Sequence, residues 1–299
     1  MGKLIKGVKD VVNNYELFVF DIWGVIHNGI SAYPYAVETL KFLKQQNKMV
    51  CFLSNSPSTT CKVEKVLDKF GISKDLYTLI YTAGESFIKS FHSNYEYSKR
   101  NRWFILDNNN VSNIEEVLLS ANVHIVQDLK EADNVIVASV DEHDFFLKRY
   151  KEFILTCILK NITVYSMNAD SHVISENGPL MRPALLMHAL DAVGVKTIVH
   201  GKPNPEIFKE LFDLLPPIPP QKTVMIGDSI TTDINGAKFA NIDSLLTYQP
   251  YPMEYSVFHF SEGILNSFSD TKHLTEENLL RLVKHTGTRP TYYIPQLRV

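Results

Sequence analysis

The fold is decided by the stretch Leu17–Val25, which reads LFVFDIWGV. Its first four residues are all apolar, without the alternation of a strand that has one face in water. This pattern indicates a strand whose two faces are both covered by helices. Asp21 follows directly, so its carboxylate would lie at the carboxyl end of the strand, where open α/β sheets bind their ligands. Taken alone, an Asp that ends a strand and caps a turn would be the simpler interpretation.

Similar apolar runs recur along the chain, separated by segments with helical periodicity. The predicted strands of this first group are Leu17–Phe20, Met49–Leu53, Thr78–Tyr81, Thr223–Ile226 and Ser244–Thr247, and the helices between them include Ala36–Gln46 and Thr60–Phe70. Their alternation predicts an α/β fold whose core is a Rossmann-like, doubly wound parallel sheet.

A second group of α/β units interrupts the first. Its predicted strands are Arg102–Leu106, Val135–Val140 and Ile162–Tyr165, and its predicted helices are Ile114–Ala121, Asp144–Leu159 and Pro183–Val193. Segments that suggest chemistry lie on both sides of this block. We therefore predict an inserted α/β domain over residues 95–196, with residues 1–94 and 197–299 forming the core. A chain of 299 residues is long enough for two domains.

The composition excludes several other classes of protein. A formal net charge of −3, with no basic stripe interleaved with aromatics, argues against a nucleic-acid partner. No apolar run reaches the roughly 20 residues of a membrane helix, and the N-terminal residues lack the features of a signal peptide. The three cysteines are far apart and form no CxxC pair, which favours a reducing compartment. We expect a cytoplasmic protein without a membrane partner.

Ser54 and Asn55 follow the second predicted strand, in the segment Leu53–Ser58, which reads LSNSPS. A hydroxyl and free backbone N–H groups at a strand end that leads into a helix form a seat for an anion. The same residues are typical of an N-cap cluster for the helix Thr60–Phe70. That alternative is the stronger one if the segment is taken alone.

Lys202 lies in the segment Val199–Glu206, which reads VHGKPNPE and precedes a predicted helix. Gly and Pro residues on both sides hold this lysine in a rigid frame, which is unusual for a surface lysine. Its ammonium could pair with a nucleophile and with a phosphate oxygen. A solvated loop lysine ahead of Pro205 is the alternative.

Asp228 and Asp233 follow another buried strand, in the segment Val224–Asp233, which reads VMIGDSITTD. Two acids five residues apart suit Mg²⁺, which prefers carboxylate and water oxygens, although turn chemistry at a strand end is again the alternative. Gathered around Asp21, these carboxylates would repel one another unless a divalent ion and Lys202 compensated them. Together the four segments predict a site for phosphoryl transfer that needs a metal.

In type and order, these segments resemble the four motifs of the haloacid dehalogenase superfamily of phosphohydrolases. The closest match is class IIA, the branch of p-nitrophenylphosphatase-like, nucleotide and phosphoglycolate phosphatases, which carries a cap domain between its second and third motifs. The predicted insertion over residues 95–196 agrees with that cap in position and size. The stretch Asp21–Gly29, DIWGVIHNG, resembles an uncharacterised bacterial subgroup with tryptophan at its third position.

The resemblance implies a role for each motif residue. Asp21 would be the nucleophile that forms an aspartyl-phosphate, and Lys202 would neutralise charge. Ser54 and the Asn55 amide would hold the phosphoryl group. The implied cofactor is Mg²⁺, with the ligands Asp21, the backbone carbonyl of Trp23, Asp228 and, through a water, Asp233.

Trp23 departs from the pattern of most phosphatases in this superfamily. They carry a second aspartate there, which protonates the leaving group and then activates water. Tryptophan cannot transfer that proton. Because general acid–base catalysis typically contributes a factor of about 10² to 10⁴, slow hydrolysis remains open without it.

Besides Trp23, three further residues are candidates for contact with the substrate or the cap. His27 is the nearest titratable residue that could replace the missing acid, although a histidine with only local hydrogen bonds is the favoured alternative. Asn168 and Asp170 follow a strand of the predicted cap and resemble the family's segment that returns toward the active site. A plain turn cluster is the alternative for both.

The predicted function is Mg²⁺-dependent hydrolysis of a small phosphorylated metabolite through an aspartyl-phosphate. Trp23 leaves two alternatives open. One is a phosphoryl transferase or acyl-phosphatase that acts on good leaving groups, and the other is a non-catalytic protein that binds metal or phosphate. A homodimer is possible, but the sequence does not determine the oligomeric state.

Overall fold

The computed structural model describes residues 2–93, 101–107, 113–121, 123–175, 178–247, 258–261, 264–267, 283–284 and 286–299. A sheet of seven parallel strands carries the first group of predicted elements. In chain order its strands are β1 (Lys3–Leu4), β2 (Leu17–Phe20), β3 (Met49–Ser54), β4 (Leu79–Thr82), β12 (Thr223–Gly227), β13 (Asp243–Thr247) and β16 (Tyr292–Ile294). Their spatial order is β1-β16-β13-β12-β2-β3-β4, so the strand that ends at Asp21 lies inside the sheet.

A second parallel sheet is formed by the strands β5 (Arg102–Leu106), β6 (His124–Val126), β7 (Asn134–Val137), β8 (Thr163–Ser166) and β11 (Thr197–Val199), in the order β11-β8-β7-β5-β6. Two antiparallel hairpins complete the described strands: β9 (His172–Ser175) with β10 (Gly178–Met181), and β14 (Phe258–Ser261) with β15 (Ile264–Ser267).

One strand lies on the other side of the predicted boundary between the two groups. Residues 197–199 were predicted to belong to the core, but Thr197 pairs with Val164 and Val199 with Ser166 at the edge of the second sheet. The chain therefore completes this sheet before it returns to the first one, and the N–H of His200 still donates to the carbonyl of Ser166. The division of the chain into a core and an inserted domain otherwise stays a prediction.

The helices lie between the strands as the periodicity predicts. They are α1 (Pro34–Gln45), α2 (Thr60–Lys69), α3 (Ala83–Ser93), α4 (Asn113–Ser120), α5 (Lys151–Lys160), α6 (Pro183–Ala192), α7 (Pro205–Phe212) and α8 (Asn235–Phe239). The predicted helix Asp144–Leu159 begins later than expected, with a 3₁₀ turn at Lys148–Tyr150, because Leu147 adopts a left-handed conformation with φ 55°. None of the described helices is long and apolar enough to cross a membrane.

Both faces of β2 are buried, as its unbroken apolar pattern predicts. Phe18 and Phe20 pack into a cluster with residues of α1, while Leu17 and Val19 pack on the other face with residues of α3 and α7. Each fully buried side chain of this size stabilises the fold by roughly 1.5–3 kcal/mol. The sheet therefore presents Asp21 from a rigid support, and the predicted α/β class is confirmed.

Candidate active site

Asp21 and Lys202 form a buried ion pair at the carboxyl edge of the first sheet. The backbone N–H of Asp21 donates to the carbonyl of Ile226 at 2.8 Å, which ties the residue to the neighbouring strand β12. Lys202 Nζ lies 2.5 Å from Asp21 Oδ1 and donates to the carbonyl of Leu53 at 2.8 Å. It also lies 2.8 Å from Asp233 Oδ1. Only 1% of the Lys202 side chain is exposed, so this ammonium is not a surface charge.

Charge balance explains how a lysine can remain buried there. Burial alone would lower the pKa of Lys202, but the carboxylates of Asp21 and Asp233 more than offset that effect and raise its pKa. Burial likewise raises the pKa of Asp21, and Lys202 partly opposes it. Burial also raises the pKa of Asp233, to about 6, although the charge of Lys202 opposes this rise. The single ammonium therefore does not neutralise all the acids around it.

Asp228 brings a third carboxylate to the same place. One oxygen from each of Asp21, Asp228 and Asp233 lies within 4.8 Å of the other two. Burial and then the charges of Asp21 and Asp233 raise the pKa of Asp228 well above its ordinary value. A cluster of carboxylate oxygens with unbalanced negative charge fits a hard divalent cation such as Mg²⁺.

Gly227 makes this cluster sterically feasible, a role that the sequence interpretation did not assign. A Cβ atom at this position would lie 2.2 Å from the carboxylate of Asp233. The backbone N–H of Ser229 donates to Asp233 Oδ2 at 3.1 Å and holds the carboxylate against the glycine. The signal in the sequence that could have revealed this role is the glycine directly before Asp228.

Asn55 fixes the segment that carries Lys202. Its Oδ1 accepts the backbone N–H of Lys202 at 2.7 Å, and its Nδ2 donates to the carbonyl of the same residue at 3.1 Å. Gly201 adopts φ +114°, and a Cβ there would lie 2.6 Å from Asn55 Oδ1. The amide side chain of Asn55 thus positions the lysine. Ser54, at the end of β3, is buried, and its Oγ accepts the N–H of Ser56 at 3.2 Å, which leaves its own proton to donate.

Trp23 and His27 pack together in the segment that follows Asp21. Their ring centroids are 5.5 Å apart, and the imidazole also lies 4.9 Å from the ring of Phe70. His27 Nδ1 accepts the N–H of Gly29 at 3.0 Å, and burial lowers the pKa of His27 to about 4. Its imidazole is therefore neutral near pH 7 and packs as a loop histidine. Within the described part of the chain, Trp23 Nε1 is buried without a hydrogen-bond partner.

Asp170 reaches the site from the second sheet. It follows β8 on a loop, where the Asn168 Oδ1 accepts the N–H of Asp170 at 2.9 Å. The Asp170 carboxylate accepts a hydrogen bond from Asn55 Nδ2 at 3.2 Å. Asn168 therefore shapes the loop, while Asp170 contacts the residue that positions Lys202.

Comparison with protein families identifies the motifs. A model described as haloacid dehalogenase-like hydrolase matches residues 18–133, which include Asp21, Ser54 and Asn55. A second model, described as HAD-hydrolase-like, matches residues 199–249, which include Lys202 and Asp228. The chain belongs to the haloacid dehalogenase-like hydrolases.

Among curated relatives, the mouse phospholysine phosphohistidine inorganic pyrophosphate phosphatase is 27% identical over 119 residues. That alignment covers 40% of this chain and 44% of the relative, so it spans less than half of the mouse protein. A 5′-nucleotidase of Bacillus subtilis is 25% identical over 250 residues, covering 79% of this chain and 88% of its own length.

Solved structures share the fold over nearly the whole chain. A hydrolase of the haloacid dehalogenase-like family from Brucella suis superposes with a TM-score of 0.76 at 18% identity, covering 98% of this chain and 100% of that one. A p-nitrophenyl phosphatase from Archaeoglobus fulgidus superposes with a TM-score of 0.66 at 23% identity, covering 95% and 97%. At these identities the likeness concerns the fold. It includes the p-nitrophenyl phosphatase type that the motifs predict.

Proposed function

We propose that the protein is a Mg²⁺-dependent phosphatase that hydrolyses a small phosphorylated metabolite through an aspartyl-phosphate on Asp21. The observation that carries the proposal is the buried contact of Asp21 with Lys202, 2.5 Å long, next to the carboxylates of Asp228 and Asp233. Family membership and the phosphatase names of the relatives support the same reaction class.

The reaction divides into two displacements at phosphorus. The Asp21 carboxylate attacks, the bond to the leaving oxygen breaks, and the phosphoryl group remains on Asp21 as an acyl phosphate. Water then attacks the same phosphorus and releases inorganic phosphate, which restores the carboxylate. Lys202 offsets the negative charge that nucleophile and phosphoryl oxygens bring together, and the hydroxyl of Ser54 is available to donate to a phosphoryl oxygen.

The metal would be held by Asp21, Asp228 and the backbone carbonyl of Trp23, with Asp233 acting through a water. When bound, Mg²⁺ would supply the positive charge that the buried carboxylates and the transferred phosphoryl group require. The backbone ligand does not depend on the side chain at position 23. The exchange of Asp for Trp in this motif therefore leaves the ligand set intact.

Trp23 favours a second candidate within the same chemistry. Because the indole cannot protonate a leaving group, substrates that need little protonation, such as acyl phosphates and phosphoanhydrides, would react best. The name of the mouse relative includes a phosphoanhydride, inorganic pyrophosphate. A protein that binds metal and phosphate without turnover is the remaining alternative.

Steady-state assays with Mg²⁺ or EDTA, comparing wild type with Asp21→Asn, test the proposal. We expect Mg²⁺-dependent release of phosphate by wild type and a loss of at least about 10³-fold in Asp21→Asn, because the amide cannot act as nucleophile. Acid quenching during turnover should trap a hydroxylamine-sensitive phosphoryl group on wild type. Unchanged activity in Asp21→Asn would refute the nucleophile. An inert wild type with an active Trp23→Asp variant would favour the non-catalytic protein.

We also infer a cytoplasmic location, which the chemistry of the cysteines supports. Cys51, Cys61 and Cys157 are free thiols. Burial raises the pKa of both Cys51 and Cys157 to about 12, so these two are unreactive at neutral pH.

A further inference from the structure

The phosphatase chemistry proposed above needs a group that gives a proton to the leaving oxygen and later takes one from the attacking water. The usual residue for both transfers is replaced by Trp23. His27 does not supply the proton. Its Nδ1 is engaged by the N–H of Gly29, and its pKa of about 4 leaves the ring uncharged at neutral pH. The donor must therefore come from another element of the fold.

Asp170 is a carboxylate that reaches the site from the second sheet, where it accepts a hydrogen bond from Asn55. Its charge is close enough to Asp21 and Asp228 to contribute to the raised pKa of each. Through Asn55, it is linked by hydrogen bonds to the backbone of Lys202, whose ammonium holds Asp21. The Asp170 carboxylate thus belongs to the same hydrogen-bonded cluster as Asn55, Lys202 and the nucleophile Asp21.

The surrounding structure holds Asp170 in place from three directions. The backbone N–H of Asp170 donates to Asn168 Oδ1 at 2.9 Å. The backbone carbonyl of Asp170 accepts the N–H of Ala184, in the first turn of α6, at 3.2 Å. The Asn55 amide fixes one oxygen of the carboxylate at 3.2 Å. A side chain ordered in this way pays little further entropy when it meets a substrate.

The charges around Asp170 keep its proton near the range where an acid–base catalyst is useful. Burial raises its pKa to about 6; Lys202 and Arg182 oppose this, while Asp233 adds to it. A group that titrates near the working pH can both donate and accept a proton during one turnover. This behaviour differs from that of His27, whose proton is lost far below neutral pH.

We propose that Asp170 is the general acid and base of this reaction, in the place of the aspartate that Trp23 has replaced. This inference rests on the proposed function. As Asp21 attacks and the bond from phosphorus to the leaving oxygen breaks, the leaving oxygen takes the proton of the Asp170 carboxyl. The Asp170 carboxylate then takes a proton from the water that attacks the phosphoryl group on Asp21. The products are an alcohol and inorganic phosphate, with both aspartates returned to their starting states.

The test varies the leaving group in the full-length protein with Mg²⁺. Values of kcat/KM are measured for 2,4-dinitrophenyl, p-nitrophenyl and phenyl phosphate, in order of increasing basicity of the leaving group, for wild type and Asp170→Asn. The asparagine can still accept the hydrogen bond from Asn55 but has no proton to transfer. We expect a loss of about 10²-fold or more for phenyl phosphate and less than about threefold for the dinitrophenyl ester. Asp191→Asn, an exposed acid beside the same sheet, is the matched control and should leave all three rates unchanged.

Two further readouts separate proton transfer from positioning. For phenyl phosphate, the wild-type rate should fall as the rising pH removes the proton of the Asp170 carboxyl, and Asp170→Asn should abolish that dependence. Adding Trp23→Asp to Asp170→Asn should restore the rate with phenyl phosphate. An equal loss for all three esters, or no loss, would overturn the role of Asp170 while leaving the phosphatase intact. A wild type that turns over none of the esters would overturn the proposed function and this inference together.

Discussion

Replacing Lys202 with methionine removes the buried ammonium. Asp21, Asp233 and the carbonyl of Leu53 then lose their contact with its Nζ. Breaking a buried ion pair costs about 3–5 kcal/mol, because the remaining charge is uncompensated. The Leu53 carbonyl, which accepts from Nζ at 2.8 Å, also loses its donor, at a cost of about 1–3 kcal/mol. The two costs do not add fully, since Asp21 and Asp233 can take up protons instead. We expect a loss of about 4 kcal/mol in the free energy of unfolding near neutral pH.

The pH dependence of this loss carries the more specific prediction. Without Lys202, the folded-state pKa values of Asp21 and Asp233 rise further above those of the unfolded chain. An acid with a raised folded pKa contributes stability that is present below its unfolded pKa and lost as the pH rises through its folded pKa. The destabilisation should therefore be largest near neutral pH and fall to about half or less near pH 4.5.

Urea unfolding of metal-free protein, followed by far-UV circular dichroism at both pH values, measures the effect. Lys209→Met is the matched control, because this lysine lies on α7, is 67% exposed and is 3.7 Å from Glu206. Its effect should stay within about 0.5 kcal/mol. Adding Asp233→Asn to Lys202→Met should recover part of the lost stability near neutral pH. The same loss at both pH values, or a loss below about 1 kcal/mol near neutral pH, would refute the charge argument.

Two further predictions concern the metal. Gly227→Ala should weaken Mg²⁺ binding by at least about tenfold, as measured by calorimetry. The reason is that the alanine Cβ would lie 2.2 Å from the carboxylate of Asp233 and displace that carboxylate. An unchanged affinity for Mg²⁺ would contradict this role of Gly227. Asp228→Asn should raise the melting temperature of the metal-free protein near neutral pH, because it removes one of three clustered negative charges. It should also abolish the further rise in melting temperature on adding Mg²⁺. If Mg²⁺ still raised the melting temperature of this variant, Asp228 would not be a metal ligand.

Local sequence patterns predicted most of the first sheet because each strand there is buried on both faces. β2 matches its prediction residue for residue, and β3, β4, β12 and β13 differ from theirs by a residue or two at their ends. The patterns failed where burial gives a weaker signal. β1 has two exposed residues, and β16 lies in the terminal segment Gly287–Val299, outside the predicted strands. These strands take their conformation from pairing with each other and with β13.

The second sheet shows the same limits. The predicted strand Val135–Val140 ends at Val137, because the N–H groups of Ala138 and Ser139 both turn toward the carbonyl of Leu106. The strand β6, of three residues, was not predicted at all. A short strand at the edge of a sheet leaves little periodicity to detect.

The sequence by itself determined the chemical types at the site and the order in which they would meet. Asp21 and Asp228 directly follow β2 and β12, and Ser54 is the last residue of β3. These neighbouring parallel strands all end at one edge of the sheet. The tertiary structure decided what each side chain does there. Asn55 turned out to position Lys202, His27 to pack against Trp23, and Asp170 to approach from the second sheet. The role of Asn55 depends on contacts with residues more than 100 positions away in the sequence. The role of His27 depends on its burial within a folded loop. Local periodicity carries no information about long-range contacts or about burial in a loop.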